Sequence, residues 1–227
     1  MRVAVIGAGP SGLVTLKYLL QAHLFFPVEA VEAVLFEAEE DIGGTFRYRS
    51  YEDAELVSSR QLTTFSDFRI ADDQPDFVTT EDYCLYLKRY CDQFGLWSSI
   101  KLSTKVVRLE RSGISHVIHY TELASATERV WECDAVAICS GLHVTPSIPP
   151  IPGIEHVPKS MHSSEFKSRD MFGTDKDVLL LGVGETGMDL AHMAVTSQTK
   201  TVTLCHRNGW LNGPKVILNA TYMLFLD

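Results

Sequence analysis

The sequence predicts an α/β fold with two Rossmann-like units, the first of which carries a β-meander. Two glycine-rich turns, at residues 7–12 and 182–187, each follow a short apolar run and precede a helical pattern. Between the turns, residues 103–132 contain three short segments separated by turn residues, as expected of an antiparallel meander. The length of 227 residues allows one large domain or two small ones, at roughly 100–200 residues per domain.

Composition and charge argue against several classes of protein. Apolar residues make up 45% of the chain and charged residues 22%, which is ordinary for a soluble globular protein. Acidic residues outnumber basic ones by 29 to 20, and the net charge of −9 disfavours binding to nucleic acid or to anionic membrane surfaces. No stretch reaches the roughly 18 consecutive apolar residues of a membrane span, so we expect none.

The cysteines and the first residues indicate a cytoplasmic protein. The five cysteines are odd in number, lack metal-ligand spacing and lie in apolar surroundings, so we expect reduced, mostly buried thiols and no metal site. They are Cys84, Cys91, Cys133, Cys139 and Cys205. The apolar run after Arg2 ends at Gly7, which is too early for a signal peptide.

The first unit is a strand, a helix and a second strand. Residues 2–6 are apolar and rich in β-branched side chains, as in a strand buried on both faces. A mostly apolar helix follows the turn to about residue 24, and Pro27 stops it. Residues 31–36 then form a second apolar strand that ends in Glu37.

The first turn has the chemistry of a pyrophosphate site. Gly7 permits the tight turn, Gly9 lets the backbone approach the anion, and Gly12 lets the helix pack on the strand. The N–H groups at the helix N-terminus then face the anion. Glu37, at the tip of the second strand, accepts hydrogen bonds from ribose hydroxyls and repels a 2′-phosphate, which favours FAD or NAD over NADP.

The middle of the chain supplies a helix and the meander. Residues 40–46 are predicted as a loop, and residues 47–76 have no clean periodicity. A helix over residues 81–94 has Thr80 as its predicted cap, and we expect its Tyr- and Phe-rich face to be core. The predicted meander strands are residues 103–110, 114–120 and 129–132, and a buried parallel strand follows over residues 134–139.

A proline-rich segment divides the chain. Four prolines and Gly153 cluster within residues 146–153, which indicates a stiff extended connection. The predicted domains are a first unit over residues 1–148, a linker over 149–177 and a partial second unit over 178–227. The second unit begins with a strand (178–181), a helix (185–195) and a further strand (201–205).

The second turn differs from the first in the charge at the following strand tip. Gly182, Gly184 and Gly187 repeat the glycine spacing, but the next strand ends in a base, Arg207, instead of an acid. An arginine there can bind a 2′-phosphate through its planar fork, which favours NADP, although a solvated surface charge is the alternative. Both units therefore predict dinucleotide binding, with an FAD domain followed by the start of an NADPH domain.

In these residues the chain resembles the flavin-containing monooxygenase family over nearly its whole length. The segments that carry the resemblance are residues 7–12, Glu37, 42–46, 65–68, 94–96, 137–141 with His143 and Pro146, 151–153, 161–163 with Phe166 and Lys167, and 182–189. The family's FxGxxxHxxxF/Y pattern is half kept: His162 and Phe166 match, whereas His156 and Pro158 replace the leading Phe and Gly. Phe166 resembles the N- and S-oxidising branch.

The resemblance implies two cofactors and their binding residues. The cofactor-binding residues that it implies, together with the turn residues above, are Gly7, Gly9, Pro10, Ser11, Gly12, Glu37, Gly44, Thr45, Phe46, Ser58, Val106, Ser140, Gly141, Gly182, Gly184, Glu185, Thr186, Gly187 and Arg207. Val57 stands where the family often carries an Asn near the flavin, and Ser58 or Ser59 could replace that amide.

The implied reaction is the cofactor's own chemistry. NADPH reduces FAD, O2 adds to give a C4a-hydroperoxide, and a small substrate with a nucleophilic nitrogen or sulfur takes the distal oxygen. The protein positions the cofactors and excludes water, so we assign no catalytic acid, base or nucleophile. His162 is expected to have a structural role.

Two other functions compete with this interpretation. A pyridine-nucleotide disulfide reductase also uses two such units, but it needs a redox-active cysteine pair, and Cys84 and Cys91 are expected to be core. A truncated or split, non-catalytic nucleotide-binding protein is the other alternative, because only 22 residues follow Cys205. In that case an unpaired sheet edge predicts pairing with a complementing chain or a second copy.

Overall fold

A computed structural model describes residues 1–142, 144–207 and 209. These residues form two compact units, one spanning Met1–Glu165 and one beginning at Phe166. The predictions that concern His143, Asn208 and residues 210–227 lie outside the described residues. The division into an FAD domain, a linker and an NADPH domain with the boundaries given above stays a prediction.

The first unit contains seven strands and five α-helices among its described residues. The strands are β1 (Arg2–Ile6), β2 (Glu32–Phe36), β3 (Ile100–Lys101), β4 (Thr104–Ser112), β5 (Ser115–Glu122), β6 (Thr127–Cys133) and β7 (Ala135–Ile138). The helices are α1 (Pro10–Leu20), α2 (Ala22–Phe25), α3 (Thr45–Tyr48), α4 (Arg60–Thr63) and α5 (Thr80–Gln93). Short 3-10 turns follow α5 at Leu96–Ser99 and end the unit at Ile154–His156 and Ser163–Glu165.

Four of the strands form a parallel sheet in the order β3-β2-β1-β7. β1 lies inside the sheet, with Val5 opposite Leu35 of β2 and Ala137 of β7. The core residues Val3, Ala4 and Val5 of β1 are almost fully buried, as expected of a parallel strand covered on both faces. Because parallel strands end at the same edge, the residues after β1, β2 and β7 converge there.

The predicted antiparallel meander is confirmed as the sheet β4-β5-β6. Its inner face packs on β2, where the ring of Phe36 lies 5.0 Å from that of Tyr120 and 5.8 Å from that of Trp131. These residues belong to a second, smaller hydrophobic cluster. The meander is therefore tied to the parallel sheet by aromatic packing.

Helix α5 confirms the prediction that its aromatic face is core. Tyr83, Tyr86, Leu87 and Tyr90 are all at most 4% exposed and pack against α1 and the parallel sheet. The predicted cap was wrong by one residue: the side chain of Thr79, not Thr80, accepts a hydrogen bond from the backbone N–H of Asp82. The helix begins at Thr80, so the preceding threonine holds the cap position.

Two further expectations needed correction. The first helix ends at Leu20 instead of near residue 24, and a separate short helix, α2, follows the bend at Gln21. Residues 40–46 were predicted as a loop, but the single-turn helix α3 begins at Thr45, and a second single-turn helix, α4, lies in the segment 47–76 that has no clear periodicity. Helices this short carry too few residues to leave a periodic pattern in the sequence.

The second unit repeats the strand, helix and strand of the first. Its described elements are β8 (Asp177–Leu181), α6 (Glu185–Val195) and β9 (Thr201–Cys205), with a 3-10 turn at Arg169–Phe172. β8 and β9 pair in parallel, with Leu181 opposite Cys205. The strand, helix and strand predicted after residue 177 are therefore confirmed. The five cysteines are unbridged, with Cys84, Cys91 and Cys133 buried and the other two half-buried.

Candidate functional site

The first glycine turn is built from close backbone approaches. Gly7 has φ +104° and its N–H donates to the carbonyl oxygen of Phe36 at 2.8 Å. A Cβ atom at Gly7 would lie 2.5 Å from the carbonyl oxygen of Cys139, and one at Gly12 would lie 1.8 Å from that of Gly7. Only glycine fits either position, so the turn packs tightly between β1, β2 and the end of β7.

The middle glycine of the turn, Gly9, faces open space. A Cβ atom at Gly9 would meet nothing within 4 Å. Gly9 is the N-cap of α1, and Pro10 takes the first helical position. Gly9 has no side chain that could accept hydrogen bonds from the first N–H groups of the helix. The N–H groups of Ser11 and Gly12 are therefore available to bind an anion. The turn therefore offers an open cradle with backbone N–H donors, as the binding of a pyrophosphate needs.

Glu37 lies beside this cradle and is only 8% exposed. One carboxylate oxygen accepts from the backbone N–H of Ala8 at 2.5 Å, and the other accepts from that of Glu39 at 2.9 Å. The carboxylate thus fastens the glycine turn, a role that sequence reasoning missed. Each oxygen keeps a second lone pair, so hydrogen bonds from ribose hydroxyls remain compatible with these contacts.

A second loop folds onto the same turn. The N–H of Gly43 donates to the carbonyl oxygen of Ala8 at 3.0 Å. Gly44 has φ +56° and ψ −131°, and its Cβ position lies 3.2 Å from Cα of Gly9. The loop thus brings Gly44 and the start of α3 beside the cradle. Thr45 is exposed there, and the ring of Phe46 packs edge-on against Tyr83 at 5.0 Å.

The end of β7 completes the group of residues around the first turn. The N–H of Cys139 donates to the carbonyl oxygen of Ile6 at 2.8 Å. Cα of Ser140 lies 3.3 Å from the Cβ position of Gly7, and Ser140 and Gly141 are both exposed. The fold thus brings three predicted groups of site residues to one sheet edge: the first turn with Glu37, the loop at Gly44, and the tip of β7.

Two predicted site residues, Ser58 and Val106, make contacts with residues outside the first turn. The hydroxyl of Ser58 lies 2.5 Å from that of Thr63 on α4. Val106, on β4, packs into the second hydrophobic cluster beside the meander aromatics and precedes a β-bulge. Neighbouring Val57 is 58% exposed. For Ser58 and Val106, a cofactor role stays a prediction.

The second glycine turn has the geometry of the first. The N–H of Gly182 donates to the carbonyl oxygen of Cys205 at 2.9 Å, as that of Gly7 does to Phe36. A Cβ atom at Gly187 would lie 2.4 Å from the carbonyl oxygen of Gly182, whereas one at Gly184 would meet nothing within 4 Å. Gly184 caps α6 as Gly9 caps α1.

The side chains at the second turn differ from those at the first. Glu185 takes the helix position that Pro10 takes in the first unit, and both Glu185 and Thr186 are exposed. Arg207 is exposed two residues beyond the end of β9, whereas in the first unit the buried Glu37 directly follows β2. The two turns therefore share a backbone and present opposite charges beyond the second strand.

A buried ion pair that the sequence did not reveal joins α1, the helix of the first turn, to the turn at residues 65–68. Lys17 on α1 is 4% exposed, and its Nζ lies 2.6 Å from a carboxylate oxygen of Asp67. Asp67 lies in the turn at residues 65–68, where the hydroxyl of Tyr86 accepts from the N–H of Phe65 and donates to the carbonyl oxygen of Phe68, both at 2.8 Å. The conspicuous signal in the sequence is Lys17 itself, the single cation in the apolar stretch 13–20.

Among the residues that the structure describes, the histidines and cysteines form no further site. The N–H of Ser164 donates to Nδ1 of His162 at 3.2 Å, which fits a structural role. Cys84 and Cys91 are buried on α5, and burial raises the pKa of both thiols, which disfavours the reactive thiolate that a disulfide reductase needs. Within the described part of the chain, no cluster of three His, Cys, Asp or Glu side chains is placed to hold a metal ion. Nor is any described helix long and apolar enough to cross a membrane.

Comparison with known proteins yields one family. A family model described as flavin-binding monooxygenase-like matches residues 1–220. Monooxygenase cfoE of Aspergillus candidus is 60% identical over 210 residues, which cover 92% of this chain and 36% of that protein. The chain spans 36–37% of the length of the first curated relatives that it matches.

Two solved structures illustrate the similarity of fold. The S-allyl-L-cysteine S-oxygenase from Allium sativum has a TM-score of 0.81 and 24% identity, over 94% of this chain and 52% of that one. The OTEMO complex with FAD and NADP has a TM-score of 0.69 and 21% identity, over 90% of this chain and 38% of that one. At these identities the likeness concerns the fold.

Proposed function

Because the chain belongs to the flavin-binding monooxygenase-like family, we propose that its first unit binds FAD and its second unit binds NADPH in a monooxygenase. The observation that carries the proposal is the pair of glycine turns, which share one backbone geometry but are followed by opposite charges at Glu37 and Arg207. An acid suits unmodified ribose and a base suits a 2′-phosphate.

The residues around the first turn fit FAD. The open cradle at Gly9 and the N–H groups of Ser11 and Gly12 receive the pyrophosphate, and Pro10 begins the helix without adding a donor. Glu37 accepts from the ribose hydroxyls. Gly44, Thr45 and Phe46, together with Ser140 and Gly141, line the sides of the same cradle, and Ser58 and Val106 are assigned by family resemblance alone.

The residues around the second turn fit NADPH. Gly182, Gly184 and Gly187 form the pyrophosphate cradle at the N-terminus of α6, with Glu185 and Thr186 at its mouth. The guanidinium of Arg207 pairs with the 2′-phosphate. The OTEMO complex, a structure of similar fold, holds FAD and NADP together, which supports two dinucleotides in one such chain.

The bound FAD supplies the redox chemistry, taking electrons from NADPH and delivering one oxygen atom of O2 to the substrate. The chain's own residues bind and orient the two cofactors. We propose a small substrate with a nucleophilic nitrogen or sulfur, a choice supported by Phe166 in the half-kept family pattern and by the S-oxygenase among the similar structures. No proton-transferring residue is required in this scheme.

The test uses the purified chain. We expect it to retain FAD and to oxidise NADPH faster when an amine or thioether substrate and O2 are supplied, with one oxygenated product formed for each substrate-dependent NADPH. A chain that holds FAD and NADPH but never couples them would support a non-catalytic nucleotide-binding protein. A chain that holds neither cofactor would contradict the proposal.

The association and location of the protein are also proposals. We retain the prediction of a complementing chain or a second copy, for which sedimentation of the chain alone and after addition of FAD gives a direct measurement. A cytoplasmic location is retained as well, and a fluorescently tagged protein would report it.

A further inference from the structure

In the loop beside the first turn, the carboxylate of Asp41 makes two ion pairs and accepts a backbone hydrogen bond. Its side chain lies 3.0 Å from Nη2 of Arg47 and 2.6 Å from Nζ of Lys88 on α5, and it accepts from the N–H of Ile42 at 2.8 Å. The hydroxyl of Tyr48 accepts from the N–H of Asp41 at 2.9 Å and donates to its carbonyl oxygen at 3.3 Å. The Asp41 side chain is only 16% exposed.

These contacts fix both ends of a glycine pair. Gly43 and Gly44 lie between Asp41 and its partners Arg47 and Tyr48 in the chain. Gly43 is confined further, because its Cβ position lies 3.1 Å from both Cβ of Arg47 and Sγ of Cys84. The N–H of Gly43 donates a hydrogen bond to the carbonyl oxygen of Ala8 in the first turn.

Asp41 is therefore one of the anchors that tie to α5 the loop that reaches the cradle. Both glycines have positive φ, at 122° and 56°, which glycine adopts without strain but does not maintain by itself, so the loop needs support from surrounding contacts to keep one position. The charged contacts of Asp41 are the nearest such support, and Lys88 provides it from outside the loop. Loss of the Asp41 charge should free the loop from α5 while leaving α5 and the first turn intact.

We propose that Asp41 is a positioning residue, which holds Gly43 and Gly44 against the first glycine turn and thereby sets how long FAD is retained. This inference rests on the proposed function, since it takes FAD as the ligand of that turn. Asp41 acts through the two glycines and does not itself contact the cofactor.

The charge state of Asp41 gives the inference a pH dependence. Burial disfavours the charged form, but the Lys88 ammonium, the Ile42 N–H and the Arg47 guanidinium outweigh it, so that the pKa of Asp41 lies below its usual value. Other titratable groups face this cluster, namely Tyr48 within the loop and Cys84, Cys91 and Glu81 on α5. The stabilisation by Asp41 is complete above the ordinary carboxyl pKa and is lost as the pH falls through the lowered value.

Asp41→Asn tests the inference, because the amide keeps the acceptor for Ile42 but removes the charge. We expect FAD to dissociate about tenfold faster from this variant, consistent with loss of about 1.4 kcal/mol of charged contacts. Lys88→Met, which removes one partner and leaves Asp41 in place, should give a smaller increase. Glu122→Gln is the matched control: Glu122 pairs with Arg129 at 2.8 Å on the meander, and its loss should leave FAD dissociation unchanged.

Two further measurements separate positioning from general destabilisation. The dissociation rate of FAD from the unmodified chain should rise on acidification through the lowered pKa of Asp41, whereas that from Asp41→Asn should be high and flat across the same range. In the FAD-free chain, hydrogen exchange at the amide of Gly43 should quicken in Asp41→Asn and not in Glu122→Gln.

The outcomes distinguish the inference from the proposed function. Unchanged Gly43 exchange in Asp41→Asn overturns the inference, whether or not the chain binds FAD. Equal FAD dissociation from Asp41→Asn and the unmodified chain also overturns it, while leaving the proposed function intact. A chain whose Gly43 exchange responds to Asp41 but which never binds FAD refutes the assigned ligand and the proposed function together.

Discussion

The carboxylate of Glu37 accepts a hydrogen bond from the backbone N–H of Ala8 at 2.5 Å. The acid at the end of β2 is thereby joined to the turn that follows β1, although 29 residues separate the two in sequence. Strand pairing brings them together, because Ile6 lies opposite Phe36 and these are the last residues of β1 and β2. Glu37 can consequently hold the shape of the cradle before any cofactor arrives.

Glu37→Gln should lower both the affinity for FAD and the free energy of unfolding. The glutamine amide has one acceptor oxygen, so one of the N–H groups of Ala8 and Glu39 would face another donor. We expect a loss of about 1.5–3 kcal/mol in the free energy of unfolding and an FAD Kd raised about tenfold or more. Urea unfolding of the FAD-free chain and a fluorescence titration measure the two effects. Unchanged flavin affinity would remove Glu37 from the site.

Alanine at Gly9 and at Gly12 should have different consequences. Gly9 has φ −74° and open space at its Cβ position, so Gly9→Ala should fold with a free energy of unfolding within about 0.5 kcal/mol of the original. Its methyl group enters the cradle, so FAD affinity should fall at least about tenfold. Gly12→Ala meets the carbonyl oxygen of Gly7 and should cost about 3 kcal/mol or more. Normal FAD affinity in Gly9→Ala would show that the pyrophosphate lies elsewhere.

Removal of Asp67 should lower the free energy of unfolding more than removal of its ion-pair partner Lys17. Lys17 is 4% exposed, so Asp67→Ala leaves a buried ammonium without its counter-charge and should cost about 3 kcal/mol. Asp67 is 27% exposed and can be hydrated, so Lys17→Met should cost about 1 kcal/mol. Urea unfolding followed by circular dichroism gives both values. Equal costs would mean that the burial of Lys17 contributes nothing to the asymmetry.

Arg207→Ala should discriminate between the two pyridine nucleotides. A charge-assisted contact to the 2′-phosphate is worth about 1.5–3 kcal/mol, so the Kd for NADPH should rise about tenfold or more while that for NADH stays nearly constant. Lys200→Ala, another exposed cation of the second unit, is the control and should change neither value. Equal weakening of both nucleotides would show that Arg207 does not contact the 2′-phosphate.

The main elements could be predicted because their signals are local. The apolar strands, the glycine spacing, the aromatic face of α5 and the meander all lie in continuous segments, and the structure confirms them. The cap of α5 was displaced by one residue because two adjacent threonines offer the same chemistry. The single-turn helix α4 left no periodic pattern.

The contacts that fasten the site could not be predicted, since they join residues far apart in sequence. Asp41 meets Lys88, Lys17 meets Asp67, and Glu37 meets Ala8 only after the strands and helices have packed. A charged residue in the sequence does not indicate its partner, and most such residues are solvated at the surface. The glycine turns that we propose to bind the cofactors were therefore predictable from the sequence, whereas the side chains that support them were not.

The most direct test of the account is anaerobic reduction of bound FAD by NADPH in the unmodified chain and in two matched variants. We expect bleaching of the flavin absorbance in the unmodified chain, no retained flavin in Gly9→Ala, and retained flavin with much slower reduction in Gly184→Ala. This result would assign FAD to the first turn and NADPH to the second. Full retention of flavin by Gly9→Ala would contradict the account. So would flavin reduction in Gly184→Ala that has the same rate and the same dependence on NADPH concentration as in the unmodified chain.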